Sequence, residues 1–170
     1  MTTMEFFLET CDSPLGSIEI VSRPDAVVSI DFSDCHERMC QLLGKRFGAY
    51  RFCAGESGFI TYLEAYFSGQ IDALSNISYC LQGTDFQNKV WQSLTTVKPG
   101  QTSTYGDLAK KIGQPKAAQA VGRANALNPI LLVIPCHRVI GKNNKLVGYS
   151  GGLNRKEWLL NHELQSTGGC

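Results

Sequence analysis

The sequence lacks several features that mark whole classes of protein. None of its apolar runs approaches the roughly 18 residues of a membrane-spanning helix. Its first residues, MTTMEFFLETCDS, have no basic region followed by a long apolar core, so we expect no secretory signal. Internal repeats and low-complexity tracts are also missing. We therefore expect an intracellular globular protein, cytoplasmic or, in a eukaryote, nuclear, without a membrane partner.

Cysteine is present seven times, but without a C-x-x-C pair or the spacing of a disulfide scaffold. In a reducing compartment such cysteines are free thiols, and most are buried as small apolar side chains. Neither Cys136–His137 nor the group Cys35–His36–Cys40 supplies the four ligands of structural zinc. We therefore expect no metal and no cofactor. The remaining cysteines are Cys11, Cys53, Cys80 and Cys170.

Charge is nearly balanced over the 170 residues, with a formal net charge of +1, but it is unevenly distributed. Residues 1–82 carry five Lys/Arg and eleven Asp/Glu, so their net charge is 5 − 11 = −6. Residues 83–170 carry eleven and four, so theirs is 11 − 4 = +7. This split predicts two domains, 1–82 and 83–170, with the second facing a polyanion such as DNA. The alternative is a solvated surface with uneven charge.

The first half has the pattern of a small sheet with helices. SIEIV (residues 17–21) and VVSIDF (residues 27–32) alternate with period two and are flanked by turn residues, which predicts strands. DCHERMCQLLGKRF has a helical pattern. GFITYLEAYFSG places apolar residues on one helical face and ends in Ser68-Gly69. The chain as a whole is therefore predicted to be α+β.

The second half is predicted to be mainly helical. Thr84 and Gln87 form a capping box before a helix that should end at Pro99-Gly100. A helix over Tyr105–Lys111 and a second beginning near Pro115 and ending at Asn128-Pro129 follow, joined by about three residues. This spacing is typical of a helix-turn-helix, and nearby lysines favour DNA binding over an αα-hairpin packed on a core.

The most unusual stretch is PCHRV, which follows the apolar run Ile130–Ile134. A thiolate nucleophile needs a base or a positive field, and Cys136 has His137 beside it. Extended neighbours point to opposite faces, so the two side chains meet only if the chain turns or a water bridges them. The imidazole also needs an orienting carboxylate. The candidates in the second half are Asp85, Asp107, Glu157 and Glu163.

These residues resemble the O6-alkylguanine-DNA alkyltransferases, also called methylated-DNA–protein-cysteine methyltransferases. The resemblance covers residues 84–163 and includes GTDFQNKVWQSL, YGDLA, AVGRAN, PCHRV and GYSGGLNRKEWLLNHE. The first half resembles the family mainly through DSPLG. The resemblance implies an RNase H-like α+β N-terminal domain and a mainly helical C-terminal domain with a winged helix-turn-helix.

The resemblance also implies a mechanism, in which the protein repairs O6-alkylguanine, and possibly O4-alkylthymine, in double-stranded DNA. Cys136 resembles the residue that takes the alkyl group irreversibly, in a single turnover. His137 resembles the base that acts through a water, and Glu163 the carboxylate that orients it. Asn128 resembles the asparagine that holds the active-site turn. Tyr105 resembles the tyrosine that assists rotation of the base and protonates the leaving guanine.

Binding residues are implied in the same way. Tyr149, Ser150 and Gly151 would line the base pocket, and the carbonyl group of Val139 would accept a hydrogen bond from the base. The helix-turn-helix would enter the minor groove, and the nucleotide would be flipped out. The expected DNA contacts are Tyr105, Lys116, Ala117, Ala118, Gln119, Gly122 and Arg123. Where the family usually has an arginine that occupies the space left by the flipped base, this chain has Gln119.

Three other functions compete with alkyl transfer. A non-catalytic damage sensor of the same family would lack the acceptor cysteine, but Cys136 is present. A helix-turn-helix regulator would leave Cys136, His137 and Glu163 unexplained. A thiol hydrolase would turn over, whereas a thioether is a stable end product. We therefore expect a monomeric alkyltransferase.

Overall fold

The structure is a computed structural model that describes residues 2–168, so that Cys170 lies outside the described residues. The chain forms two compact units. One comprises the residues up to Gln82 together with Pro129–Leu131, and the other comprises Gly83–Asn128 and the residues from Leu132 onward. Helices and a small mixed sheet are both present, so the predicted α+β class is confirmed.

The first unit is built on a four-stranded sheet with the order β3-β2-β1-β4. The β1–β2 and β2–β3 pairs are antiparallel, and the β1–β4 pair is parallel. The strands are β1 (Met4–Cys11), β2 (Ile18–Ser22), β3 (Val27–Phe32) and β4 (Tyr50–Cys53). The alternation in sequence predicted β2 and β3, whereas it did not predict β1 and β4.

Every residue of β2 and β3 is buried, although β3 lies at an edge of the sheet. Two segments of the same unit cover that edge. Val27 exchanges backbone hydrogen bonds with the chain around Tyr79, and Ile30 does so with Pro129 and Leu131. The backbone groups of an edge strand are thereby paired instead of being exposed to other chains.

Two α-helices, α1 (His36–Phe47) and α2 (Ile60–Phe67), complete the first unit with 3₁₀ turns at Ser33–Cys35 and Ile71–Asn76. Met39 and Leu43 of α1 are buried in a cluster with apolar residues of the sheet: Phe6, Val21 and Val28. Both α-helices were predicted from their periodicity. Burial of one apolar face on the sheet explains why that periodicity was informative.

The second unit begins with α3 (Asp85–Leu94), which has the predicted capping box between Thr84 and Gln87. The predicted end at Pro99-Gly100 is wrong, because α3 stops at Leu94. Beyond Leu94 the backbone forms hydrogen bonds between residues three apart, such as the bond from the amide of Val97 to the carbonyl group of Leu94. The hydroxyl groups of Thr95 and Thr96 also bond to backbone carbonyl groups three residues earlier. Such side-chain bonds compete with continuation of a helix.

The remaining elements are β5 (Ser103–Thr104), α4 (Tyr105–Lys111), α5 (Ala118–Ala126), β6 (Val139–Ile140) and α6 (Leu153–Ser166). Helix α4 has the predicted bounds and the predicted Thr104 cap. The predicted start of α5 near Pro115 and the three-residue connection are wrong. The amide of Ala117 bonds back to Gln114, so Pro115 lies in a turn and residues 112–117 connect the helices.

Candidate active site

The active-site turn follows an apolar stretch, in which the chain returns from the first unit to the second unit at Leu132. Leu132 and Ile134 are buried, and Leu132 has a φ of 73°, a left-handed conformation that is rare for a bulky side chain. The fully buried Asn128 side chain donates a hydrogen bond of 2.7 Å to the carbonyl group of Ile134. This bond ties the end of α5 to the residues just before Pro135.

Cys136 and His137 then lie in a 3₁₀ turn, Cys136–Arg138, rather than in an extended segment. The turn is closed by the amide of Arg138, which donates to the carbonyl group of Pro135 over 3.0 Å. Cys136 is 1 % exposed and His137 is fully buried. The chain therefore makes the turn that the sequence required if neighbouring thiol and imidazole groups were to serve one site.

The structure selects one carboxylate from the four candidates. Nε2 of His137 lies 2.7 Å from Oε1 of Glu163, and both side chains are completely buried. An ionised carboxylate only accepts hydrogen bonds, so the proton of the neutral ring belongs on Nε2. The lone pair is then on Nδ1, which is buried and has no hydrogen-bond partner among the described residues. Nδ1 is thus the atom that can take up a proton.

Arg138, to which the sequence analysis gave no role, completes this group. Its guanidinium group donates to both oxygens of Glu163, over 2.8 Å and 2.9 Å, and to the carbonyl group of Val97 over 2.7 Å. Two parallel bonds to one carboxylate fix the orientation of Glu163. The position next to His137 in the sequence was the only signal that could have suggested this partner.

Burial and charge set the protonation states of the pair. Burial by itself would raise the pKa of Glu163, but the His137 ring and the Arg138 guanidinium group hold it well below its usual range. Burial lowers the pKa of His137, and this outweighs the opposing effect of Glu163. Near neutral pH the site therefore contains an ionised carboxylate and a neutral imidazole, which is the state of a proton acceptor.

A second unexpected residue is Lys156 of α6, which is fully buried. Its ammonium group donates to the carbonyl groups of Val147 over 2.7 Å and of Gly148 over 3.3 Å. Burial lowers the pKa of Lys156 to about 8, although the nearby Cys136 opposes the shift. Lys156 and Glu163 are seven residues apart, on one face of α6. Charged residues at the buried positions of an amphipathic helix were a signal from which the sequence could have indicated a functional role for Lys156.

Tyr105 lies at the start of α4, and its hydroxyl group donates a 3.4 Å hydrogen bond to the carbonyl group of Val147. Burial and, to a lesser extent, Cys136 raise the pKa of Tyr105, so that the phenol stays protonated. Val139 is buried in β6, opposite Ser103 of β5. Lys156 and Tyr105 thus bond to the same carbonyl group, and both lie close enough to Cys136 for its charge to act on their pKa values.

Tyr149, Ser150 and Gly151 lie in the segment before α6 and are half-buried. The carbonyl group of Tyr149 accepts a bond from the amide of Gly152, and that of Gly151 accepts one from the Arg155 side chain. These hydrogen bonds hold the segment that runs from Val147 and Gly148, whose carbonyl groups accept from Lys156, to the start of α6.

The predicted DNA-contacting residues gather around α4 and α5. Lys116, Gln119 and Arg123 are exposed, whereas Ala117, Ala118 and Gly122 are half-buried. A cavity of about 340 Å³ lies beside α5. Its lining consists of Thr104, Tyr105, Gly106, Ala118, Gln119, Gly122, Ile140 and Lys142. A Cβ atom on Gly122 would lie 3.8 Å from the Tyr105 ring, which is ordinary van der Waals contact.

Known proteins resemble this chain over nearly its whole length. Proteins named methylated-DNA–protein-cysteine methyltransferase are 41 % identical in Shigella flexneri and 42 % identical in Salmonella typhimurium. Each match covers 91 % of this chain and 94 % of the relative. The chain belongs to this methyltransferase family. The family model of the 6-O-methylguanine DNA methyltransferase DNA-binding domain also matches residues 85–165.

Solved structures of the methyltransferase family have the same fold. Mycobacterium tuberculosis OGT in complex with DNA has a TM-score of 0.79 and 34 % identity, with 96 % of this chain and 94 % of that chain covered. The O6-methylguanine-DNA methyltransferase of Pyrococcus kodakaraensis has a TM-score of 0.75 and 29 % identity, with 93 % and 98 % covered. The resemblance inferred from PCHRV and its surroundings is confirmed.

Residues 2–168 include no group of three or more His, Cys, Asp or Glu side chains arranged to hold a metal ion. Within the same range, all helices are too short or too polar to cross a membrane.

Proposed function

We propose that this protein repairs O6-alkylguanine in double-stranded DNA by transferring the alkyl group to Cys136, irreversibly and in a single turnover. The proposal rests on one observation, a buried array of four side chains. Cys136, His137 and Arg138 lie in one 3₁₀ turn, and Glu163 is hydrogen-bonded to His137 and Arg138. The array provides a nucleophile, a neutral base with one available nitrogen, and a carboxylate fixed by an arginine. Membership in the methyltransferase family supports the same reaction.

The reaction follows from these positions. Nδ1 of His137 takes the Cys136 proton through a water, and the sulfur attacks the alkyl carbon. A carbon–sulfur bond forms as the bond between that carbon and O6 of guanine breaks, with its electron pair going to the base. Tyr105, whose pKa is raised by burial, supplies a proton to the leaving guanine. The thioether is stable, so Cys136 is consumed.

Guanine O6 lies inside the base pair, so the nucleotide must leave the stack before Cys136 reaches it. We infer that the flipped base is held by the carbonyl group of Val139 and by Tyr149, Ser150 and Gly151. Lys156 supports this pocket because it bonds to the backbone at Val147 and Gly148. An alkylated guanine pairs poorly, which lowers the cost of flipping and favours damaged sites.

We infer that α4 and α5 belong to a winged helix-turn-helix, which binds in the minor groove of DNA. The excess of basic residues after residue 82 supports this assignment. The inferred contacts are Tyr105, Lys116, Ala117, Ala118, Gln119, Gly122 and Arg123. Gln119 is exposed beside the cavity on α5, where a residue could occupy the place of a flipped base.

The finer assignments complete the proposal. Residues 1–82 form an RNase H-like α+β domain, and residues 83–170 form the DNA-binding and alkyl-accepting domain. The protein acts as a cytoplasmic monomer without metal or cofactor. Its substrate is O6-alkylguanine, and O4-alkylthymine, whose alkyl group is also attached to a ring oxygen substituent, is the second candidate.

Intact-mass analysis after incubation with duplex DNA containing one O6-methylguanine tests the proposal. We expect one added methyl group, mapped by peptide analysis to Cys136, and no second turnover. Cys136→Ala should bind the same DNA without being methylated. Binding without methylation of the unaltered chain would indicate a damage sensor or regulator, and release of product with repeated turnover would indicate a hydrolase.

A further inference from the structure

A second thiol, imidazole and carboxylate meet in the first unit, outside the proposed active site. His36 is the first residue of α1, and Cys40 lies one turn later on the same face of the helix. Sγ of Cys40 is 3.3 Å from Nε2 of His36. Nδ1 of the same ring is 2.6 Å from Oε2 of Glu19, which lies on β2.

The carboxylate determines which way the protons point. An ionised Glu19 only accepts, so Nδ1 of His36 carries the proton that is donated to it. In the neutral ring the lone pair is then on Nε2, the nitrogen that faces Cys40. The Cys40 thiol therefore donates towards a nitrogen able to accept its proton, in the order nucleophile, base and orienting group.

Solvent access differs from that of the buried array. The side chain of His36 is 46 % exposed and that of Glu19 is 12 % exposed. Cys40 is partly exposed, and its carbonyl group accepts a bond from the Tyr50 hydroxyl group that holds this part of α1 on β4. A small reagent can reach Cys40 from solvent without a flipped base or a pocket.

Two cysteines of the same unit have comparable exposure but different neighbours. Sγ of Cys35 lies 3.5 Å from a carboxylate oxygen of Asp34, and Sγ of Cys53 lies 3.5 Å from the carbonyl oxygen of Phe6. Neither of these two acceptors is an imidazole nitrogen positioned to take up the thiol proton. Cys40 differs because its neighbour is the ring nitrogen of His36.

We propose that Cys40 is a second nucleophilic thiol that reacts directly with small, soft carbon electrophiles such as haloalkanes and haloacetamides. The Cys40 proton moves to Nε2 of His36 as the sulfur attacks the carbon. A carbon–sulfur bond forms, the carbon–halogen bond breaks, and the halide leaves with the electron pair. The proton then passes from His36 to solvent. His36 is the base, and Glu19 is a positioning residue.

Alkylation by limiting iodoacetamide tests this proposal, with the rate at each cysteine followed by peptide mass spectrometry. We expect Cys40 to react at least about tenfold faster than Cys35 and Cys53. His36→Gln should reduce the Cys40 rate to that of Cys53, and Glu19→Gln should reduce it part of the way. Cys53, measured in every variant, is the internal control for an intact first unit.

The pH profile separates a role in proton transfer from a role in packing. Tyr50 of β4 and Asp31 of β3, which pairs with Arg38 at 2.7 Å, are further titratable groups that face α1. Both stay unaltered in His36→Gln and Glu19→Gln. Each variant should need a higher pH than the unaltered chain for the same Cys40 rate, with an unchanged Cys53 profile. Equal rates at Cys40 and Cys53, or a Cys40 profile that does not change in His36→Gln, would overturn the proposal.

The outcome is independent of DNA repair. Cys136→Ala should keep fast alkylation of Cys40, and Cys40→Ser should keep methyl transfer from DNA. Failure of methyl transfer with fast Cys40 alkylation would count against the proposed function alone. Loss of fast Cys40 alkylation in Cys136→Ala would instead overturn Cys40 as an independent nucleophile.

Discussion

The two units each bring a cysteine, a histidine and a glutamate together, but the histidines differ in their exposure to solvent. In the second unit His137 and Glu163 are completely buried, and Cys136 is 1 % exposed. In the first unit the His36 side chain is 46 % exposed. The distance between imidazole nitrogen and carboxylate oxygen is nearly the same, 2.7 Å and 2.6 Å. The difference therefore lies in burial rather than in hydrogen-bond geometry.

Complete burial of both partners explains why Glu163 is paired with an arginine as well as with its histidine. An ionised carboxylate removed from water must be compensated by other charges and hydrogen bonds, and Arg138 provides both to Glu163. Glu19 is mostly buried as well, but its partner His36 is 46 % exposed, so that this pair keeps contact with water. The His137–Glu163 pair is thus shielded from bulk solvent, whereas the His36 ring of the other pair is open to it.

The largest expected effect concerns stability. Glu163→Ala leaves the buried Arg138 without its carboxylate, and we expect the free energy of unfolding to fall by about 3–5 kcal/mol. Glu19→Ala should lower it less, by about 1 kcal/mol, because its partner His36 is 46 % exposed and keeps access to water when the carboxylate is removed. Urea unfolding of both variants and the unaltered chain measures this contrast. Equal losses would show that the exposure of the histidine partner does not distinguish the two pairs.

The next effect concerns the rate of methyl transfer. His137→Gln and Glu163→Gln should each slow single-turnover transfer from duplex DNA by roughly 10²–10³, because an unoriented imidazole is a poor base. The double variant should be little slower than either, since the two residues act as a unit. Glu19→Gln is the control and should transfer normally. Additive losses would assign Glu163 a structural role only.

A third comparison uses the pH dependence of stability to distinguish buried Lys156 from a lysine on the surface. Burial lowers the pKa of Lys156 from 10.5 to about 8, so between these values the unfolded chain holds a proton that the folded chain has released. Stability should therefore rise with pH across this window, by up to roughly 3 kcal/mol relative to Lys156→Met.

Exposed Lys142 offers the matched control, and Lys142→Met should follow the pH dependence of the unaltered chain. Urea midpoints measured from pH 7.5 to about pH 10.5 test both variants. Parallel curves for Lys156→Met and the unaltered chain would contradict a lowered pKa of Lys156.

The unequal charge of the two units predicts a salt effect on DNA binding. Affinity should fall steeply as salt increases, and Lys116→Gln or Arg123→Gln should each reduce the slope of log affinity against log salt by about 0.9. The loss should be alike for all DNA sequences. Lys45→Gln, in the acidic first unit, is the control, and a slope that it changes equally would place DNA elsewhere.

The smallest effect concerns Gln119, which is exposed beside the cavity on α5. Gln119→Arg offers a planar cation that can stack on bases, and we expect it to tighten duplex binding and speed duplex repair by about 1 kcal/mol. Gln119→Ala should slow duplex repair. Free O6-benzylguanine needs no flipping, so its reaction should change in neither variant. Parallel changes on both substrates would show that Gln119 does not act in flipping.

Local sequence was informative wherever local contacts determine the structure. The Thr84–Gln87 capping box and the Thr104 cap use bonds within four residues, and both were predicted correctly. Strand β3 was predicted with its observed bounds because its alternation and turn residues are adjacent in sequence. The predicted start of α5 was wrong because a turn closed by the amide of Ala117 precedes the helix. The predicted end of α3 was wrong because the hydroxyl groups of Thr95 and Thr96 bond to backbone carbonyl groups there.

The sequence by itself determined the α+β class, most helices and, through PCHRV and its surroundings, the methyltransferase family. Pattern and spacing left Glu163 open among four acids, and only the family resemblance implied it. Arg138 and Lys156 came into the site through the tertiary structure alone. The tertiary structure also joined Glu19 to His36, which is 17 residues away in sequence. Caps and periodicity act within one or two turns of chain, whereas these contacts depend on where distant segments lie after the core has packed. No spacing rule encodes that placement.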